Sequence, residues 1–106
     1  DIFLNIAGGM HIDEPALDLG VICALASSLL EKPIPSATVV CGEVGLAGEV
    51  RAIGHVDVRI REAQRLGFSR FVLPAGNKER LTWKPEIELV GVANLHEVLQ
   101  ALFTTR

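Results

Sequence analysis

The sequence lacks the features that mark membrane, disulfide-rich and zinc-binding proteins. Asp18 interrupts the longest apolar run and Glu31-Lys32 ends it, so no run reaches the length of a membrane span. The two cysteines, Cys23 and Cys41, have no CxxC spacing and lie among apolar neighbours. This arrangement favours two buried, reduced thiols over a disulfide or a metal site. The three histidines are too scattered along the sequence to indicate a ligand set.

The sequence also lacks the usual phosphate-binding loops, although residues 41–54 (CGEVGLAGEVRAIG) hold four glycines. A Walker A loop needs a Gly-Lys pair, and the chain has none. A dinucleotide loop needs GxGxxG running into a helix, whereas this stretch reads GxxGxxG and runs into a strand pattern. We therefore interpret the glycines as permitting a tight turn or a close backbone approach.

Length and charge indicate one domain with an uneven charge distribution. The 106 residues are 49% apolar, which suffices for a single core. The chain opens on Asp1 rather than Met, and we expect residues 1–106 to be one domain of a longer protein. Residues 1–50 hold seven acids and one base, a net charge of −6, while residues 51–106 hold six acids and nine bases, a net of +3. The second half could present a basic face, but an acidic domain is not an obvious autonomous nucleic-acid binder.

The residue pattern predicts strands and helices in mixed order. Strands are expected at 2–7, 38–41, 49–53, 68–73 and 87–92, and helices at 16–30, 56–66 and 95–103. Asp13-Glu14-Pro15 is typical of a helix start, and the helix that follows is apolar almost all round, which predicts burial on most sides. Residues 38–53 are predicted to form one hairpin turning near Gly45 to Gly48, and residues 74–84 a charged loop. The mixed order favours an α/β or α+β fold.

Several of these stretches resemble a known family. IFLNIAGG, LDLGVICALASSL, GEVGLAGEVRAIG and GFSRFVLPAGN are similar, in this order, to segments of Lon-type proteolytic domains. The similarity is greater to the Lon-like C-terminal domains of the RadA (Sms) family of bacterial DNA repair proteins, and it covers nearly the whole chain. The resemblance implies a mixed-sheet fold of the ribosomal S5 domain 2 type.

The resemblance also implies a degenerate protease site. Lon-type proteases use a serine nucleophile activated by a lysine. The matching positions here hold Asp18, before Leu19-Gly20, and Arg59, counted from Ile53-Gly54. Arginine stays protonated and cannot act as a general base, so we expect no catalytic residues and no peptidase activity. Asp18 could form an ion pair with Arg59, or could simply lie near the N-terminus of its helix, where the helix dipole favours an acid.

Basic residues provide candidate nucleic-acid contacts: Arg51, Arg59, Arg61, Lys78 and Arg80. Arg59 and Arg61 lie about 200° apart on a helix, so they cannot form one patch by themselves. Lys78, Arg80 and Lys84 lie near the only tryptophan, Trp83, in a loop that could contact single-stranded DNA. For any single arginine, a solvated helix face with local acidic partners such as Glu62 explains the pattern better than a DNA contact does, and a basic loop of this kind is more often simply exposed.

The resemblance implies a non-catalytic domain that supports ring assembly, as a homo-oligomer of hexameric size, and that contacts DNA or neighbouring domains. It implies a cytoplasmic parent protein that is a DNA-dependent ATPase. ATP, Mg and Zn would then be bound outside these residues, and this domain would need no cofactor, metal or membrane. Two alternatives remain: an active peptidase with an unrecognised nucleophile, and a module that binds a protein partner in the degenerate cleft.

Overall fold

Seven strands and four α-helices make up the structure, a computed structural model that describes residues 4–6, 10–12 and 14–104. The strands are β1 (Leu4–Ile6), β2 (Met10–Ile12), β3 (Thr38–Val40), β4 (Glu43–Val44), β5 (Val50–Arg51), β6 (Arg70–Pro74) and β7 (Glu88–Val92). The helices are α1 (Asp18–Leu30), α2 (Val56–Arg65), α3 (Ala75–Arg80) and α4 (Leu95–Phe103), and a 3₁₀ turn (Pro15–Leu17) precedes α1. This mixture confirms the predicted α/β class.

A parallel sheet of order β3-β6-β7 forms the centre, flanked by helices on both faces. On β6, Val72 points to one face and joins a cluster with Leu19 and Cys23 of α1 and with α4. Its neighbours Phe71 and Leu73 point to the other face and pack against α2. The alternation follows from the two-residue repeat of a strand, and burial on both faces explains the continuous apolar run of β6.

The glycine-rich stretch forms a short antiparallel hairpin, β4–β5, that is separate from β3. The prediction of one hairpin over residues 38–53 was therefore wrong in its first half, because β3 pairs in parallel with β6. Gly42 separates the two units at a point where the backbone passes close to Leu19 and Val50, since an added Cβ would lie 3.1 and 3.0 Å from those side chains. The predicted turn at Gly45 to Gly48 is confirmed, with Gly48 at a φ of +82°.

Helix α1 is less buried than its composition predicts. Leu19 and Cys23 are buried, but Leu25 and Leu30 are about half exposed and Leu29 is 84% exposed. The expectation of burial on most sides was wrong, because the sheet covers one side of the helix and no other described element covers the opposite side. The stretch 75–80, predicted as loop, is also a helix: Gly76 and Asn77 are weak helix formers, but Ala75, Lys78, Glu79 and Arg80 favour a helix, and α3 packs against β6 and β7.

Other local predictions are confirmed. Asn94 caps α4 by accepting a hydrogen bond from the Glu97 N–H at 2.9 Å, and the Glu97 side chain accepts one from the Ala93 N–H. Gly67, with a φ of +90°, follows the end of α2. Both cysteines are buried and free, and burial raises the pKa of the Cys23 thiol to about 11. The predicted strand at 2–7 contains β1, while Asp13 lies outside the described residues.

Asn77 on α3 fastens this helix to the segment between β5 and α2. Its side-chain oxygen accepts a hydrogen bond from the Ile53 N–H at 2.8 Å, and its amide donates to the Ile53 carbonyl at 2.9 Å. Asn77 is 7% exposed, so water cannot easily replace these bonds.

Asn77→Ala should therefore lower the free energy of unfolding by about 2 kcal/mol, because both backbone groups of Ile53 lose their partner in a partly buried site. Urea denaturation followed by circular dichroism measures the change. Asn94→Ala is the matched control, since it removes an exposed helix cap at a cost of about 1 kcal/mol. A smaller loss at Asn77 than at Asn94 would contradict this account.

The Glu49 carboxylate organises the hairpin turn. It accepts hydrogen bonds from the Ala47 N–H at 3.1 Å and from the Arg51 guanidinium at 2.8 Å. An added Cβ at Gly45 would lie 2.0 Å from this carboxylate, so the glycine leaves room for it. Its own backbone N–H and then Arg51 hold the pKa of Glu49 below the ordinary 4.5.

A carboxyl whose folded pKa is depressed stabilises the fold above its unfolded pKa, and that contribution is lost as the pH falls through the folded value. We therefore expect stability to fall more steeply between about pH 6 and about pH 3 in the parent chain than in Glu49→Gln. Thermal unfolding midpoints across that range measure the difference. Equal acid sensitivity of the two chains would show that Glu49 plays no such part.

Candidate functional site

A cleft of about 310 Å³ opens beside the N-terminus of α1. Asp18, the first residue of α1, lies at this cleft and is partly buried. The remaining wall is largely apolar: Ile22, Val44, Gly45, Leu46, Gly48 and Leu95 line it. The cleft thus combines one carboxylate with an apolar wall, and the β4–β5 turn forms one side of it.

Backbone hydrogen bonds fix the start of α1 against the chain at Gly42. The Leu19 N–H donates to the Gly42 carbonyl at 3.0 Å, and the Gly42 N–H donates to the Ala16 carbonyl at 2.9 Å. Next to these bonds, the Val44 N–H donates to Asp18 Oδ2 at 3.3 Å. The aspartate at this helix N-terminus therefore accepts a hydrogen bond from β4, in a position where the helix dipole favours an acid.

Arg59, the other predicted site residue, lies in a separate pocket of about 210 Å³. Its guanidinium forms an ion pair with Glu14 and donates to the Gly54 carbonyl at 3.2 Å. The guanidinium of Arg59 pairs with Glu14, and the carboxylate of Asp18 accepts a hydrogen bond from the Val44 N–H. No ion pair joins Asp18 to Arg59 among residues 14–104. The ion-pair version of the hypothesis was wrong, and the helix-terminus version describes Asp18.

The second pocket contains ionisable residues that the sequence did not connect with Arg59. Glu14, Glu43 and His55 line it together with Arg59. His55 has a φ of +58° and forms the N-terminal boundary of α2. Glu14 lies 45 positions before Arg59 in the sequence, so no local signal could have indicated the pair.

No alternative nucleophile lies beside Asp18 among the described residues that line its cleft. Ser27 is near the C-terminal end of α1, where its hydroxyl donates to the Lys32 carbonyl, and Ser28 is exposed on the same turn. Burial raises the pKa of both cysteine thiols, and for Cys41 the Arg59 charge opposes and the Glu14 charge adds to this effect. A thiol with a raised pKa is mostly protonated and therefore a poor nucleophile.

The basic candidates divide into paired and unpaired groups. Arg51 lies between Glu49, at 2.8 Å, and Glu43, at 3.5 Å, and Arg59 pairs with Glu14. Their positive charge is thus largely offset by neighbouring carboxylates.

The other candidates have a different environment. The guanidinium of Arg61 lies over the Trp83 ring, 4.5 Å from its centroid. Lys78 and Arg80 are exposed on α3, with no carboxylate within ion-pair distance in the part of the chain that the structure describes. Arg59 and Arg61 face different partners, as their helical spacing predicts.

Other classes of site find no support among the described residues. No group of three or more His, Cys, Asp or Glu side chains there could hold a metal ion. None of the described helices is both long and apolar enough to span a membrane.

Comparisons with known proteins agree with the resemblance read from the sequence. Residues 1–105 match the model of the Lon protease (S16) C-terminal proteolytic domain. The chain is 44% identical over 100 residues to the DNA repair protein RadA of Bacillus subtilis, covering 94% of this chain and 22% of the relative. It is 41% identical over 103 residues to the RadA of Streptococcus pneumoniae, covering 97% of this chain and 24% of that relative. It is also 41% identical to the RadA of Aquifex aeolicus over 97% of this chain.

The chain spans less than a quarter of the length of these curated relatives. The family match covers residues 1–105, which include every residue that lines the Asp18 cleft and the Arg59 pocket. The chain belongs to the family of Lon protease (S16) C-terminal proteolytic domains.

Proposed function

We propose that the chain is a non-catalytic Lon-type domain of a RadA-type DNA repair protein, with the ribosomal S5 domain 2-like fold. Its work is to support assembly of a ring of identical subunits, hexameric in the whole protein, and to offer a surface to DNA or to neighbouring domains. In this proposal the parent protein is a cytoplasmic DNA-dependent ATPase that binds ATP, Mg and Zn outside these residues.

The chemistry at the two protease positions carries the non-catalytic part of the proposal. Asp18 accepts a backbone hydrogen bond and Arg59 is held by Glu14 and Gly54, so both side chains have structural partners. Acyl transfer by a serine requires a base that can lose its proton, and a guanidinium does not do so at working pH. Arg59 therefore cannot act as the general base.

The purified chain should not hydrolyse an unfolded protein such as reduced casein, and Asp18→Asn and Arg59→Gln should leave that background unchanged. Release of labelled peptides over several hours provides the measurement. A rate above the buffer background that disappears on changing a single residue of the chain would establish a peptidase with another nucleophile.

The leucine face of α1 supports the assembly part of the proposal. Leu25, Leu29 and Leu30 are all at least half exposed and lie near one end of one helix. Several exposed leucines on one short stretch of helix are typical of an interaction surface. We therefore place the contact between subunits at these three leucines.

Light scattering across a concentration series should show self-association of the chain, and Leu29→Asp should shift it towards the monomer, because a charge in a packed apolar contact is costly. Val58→Asp is the matched control, since Val58 is also exposed, at 64%, but lies on α2. A strict monomer at high concentration would assign assembly to the rest of the parent protein. Equal effects of the two substitutions would remove α1 from the contact.

A second candidate function is the binding of a protein partner in the Asp18 cleft. The observation that favours it is the largely apolar wall beside a single carboxylate, with Leu46 fully exposed at the hairpin turn. A partner that binds there would be released by Leu46→Ser or Asp18→Asn. Binding that neither substitution weakens would exclude the cleft.

A further inference from the structure

Arg61 and Trp83 form a stacked pair on the surface. The Arg61 guanidinium carbon lies 4.5 Å from the centroid of the Trp83 ring, which is the geometry of a cation–π contact. Trp83 itself packs against the core cluster of Ile60 and Phe71, so the indole is fixed from behind. The guanidinium therefore lies over an indole that packs against the core, while Arg61 as a whole is exposed.

A second contact fastens the segment that carries Trp83 to the same helix. Gln64, one turn after Arg61 on α2, accepts hydrogen bonds from the N–H groups of Glu86 at 2.8 Å and Ile87 at 3.3 Å. The segment 81–87 is thus joined to helix α2 at two points, through Trp83 and through Gln64. Because the contact with Trp83 restricts the Arg61 side chain before a ligand binds, Arg61 loses less conformational entropy on binding than a freely moving arginine would.

Three cations at or near Trp83 form no ion pair with a described residue. Arg51, Arg59, Arg65 and Arg70 each have an acid within 4.0 Å. Among residues 14–104, no such partner is found for Arg61, or for Arg80 and Lys84, which flank Trp83 in the sequence. The cations of the second half of the chain without an ion-pair partner among the described residues therefore include Arg61, which contacts Trp83, and Arg80 and Lys84, which are near Trp83 in the sequence.

We propose that the Arg61 guanidinium, which lies over the Trp83 ring, contacts single-stranded DNA, with Trp83 as its positioning residue and Lys84 and Arg80 extending the surface. This inference rests on the DNA contact in the proposed function and assigns its place. A stacked guanidinium leaves one face for a base and its N–H edges for phosphate oxygens, and a single strand supplies both. Arg51 and Arg59 are not included in this DNA-binding surface because each already forms an ion pair with a carboxylate.

Fluorescence anisotropy with a labelled thymidine 30-mer tests the proposal on the 106-residue chain. Arg61→Ala should weaken binding about tenfold and reduce the slope of log affinity against log salt by about 0.7, the value for one lost phosphate contact on a single strand. Arg65→Ala is the matched control, because Arg65 lies one turn further on α2 but is paired with Glu62, and it should change affinity little.

Substitutions of Trp83 test its positioning role. Trp83→Leu should weaken binding about fivefold because Arg61 regains its rotamer freedom, while Trp83→Phe should restore most of the affinity by retaining an aromatic face. In the Arg61→Ala background, Trp83→Leu should have no further effect, which a purely structural role of Trp83 would not predict. Circular dichroism confirms that each variant is folded, and Trp83→Phe keeps the test valid if the leucine variant unfolds.

Two results would overturn the inference, and they are distinguishable. Binding by the unmodified chain that Arg61→Ala leaves unchanged would place the DNA surface elsewhere and leave the proposed function intact. Absence of binding by the unmodified chain even at low salt would remove the DNA contact from the proposed function, and the inference with it.

Discussion

Burial of β6 on both faces is the constraint on which the rest of the structure depends. Phe71, Val72 and Leu73 are fully buried, and because successive side chains point to opposite faces, this strand requires helices on both sides. Helices α1 and α4 cover the Val72 face, while α2 covers the face of Phe71 and Leu73. Asp18 begins α1 and Arg59 lies in the first turn of α2, so the two residues belong to helices on opposite faces of one sheet. Their separate pockets follow from this arrangement.

The sequence predicts the elements whose signals are local. Helices α2 and α4 have apolar residues at helical spacing and distinct terminal residues, such as Asn94 and Gly67, and both form close to where they are expected. Strands β6 and β7 have β-branched or continuous apolar residues with clear boundaries. What the sequence does not reveal is pairing between distant segments. The parallel register of β3 with β6 joins Val39 to Phe71, and the β-branched pattern of β3 would suit either a hairpin or a parallel neighbour.

The same distinction between local and distant information applies to the candidate site. The residue types at positions 18 and 59 are read directly from the sequence, and their chemistry argues against a serine–lysine mechanism without any structure. Their partners are not readable, because Glu14 reaches Arg59 across 45 positions and Asp18 meets Val44 across 26. The stack of Arg61 on Trp83 is another distant contact. Helical spacing indicates that Arg61 points away from Arg59, but only the fold brings the 81–87 segment to that side of α2.

An arginine at position 59 has structural consequences that a lysine acting as a base would not have. A lysine that acts as a base must be kept neutral in a desolvated setting, which costs stability. Arg59 instead stays charged and binds Glu14 and the Gly54 carbonyl, linking the segment before α1 to the start of α2. A partly exposed ion pair contributes only a modest free energy, so its effect is mainly to orient the two segments. The contacts with the segment 81–87 depend on the position of α2, because Arg61 and Gln64, which make them, both extend from this helix. The ion pair of Arg59 with Glu14 and the contact of Arg61 with Trp83 therefore both depend on the placement of α2.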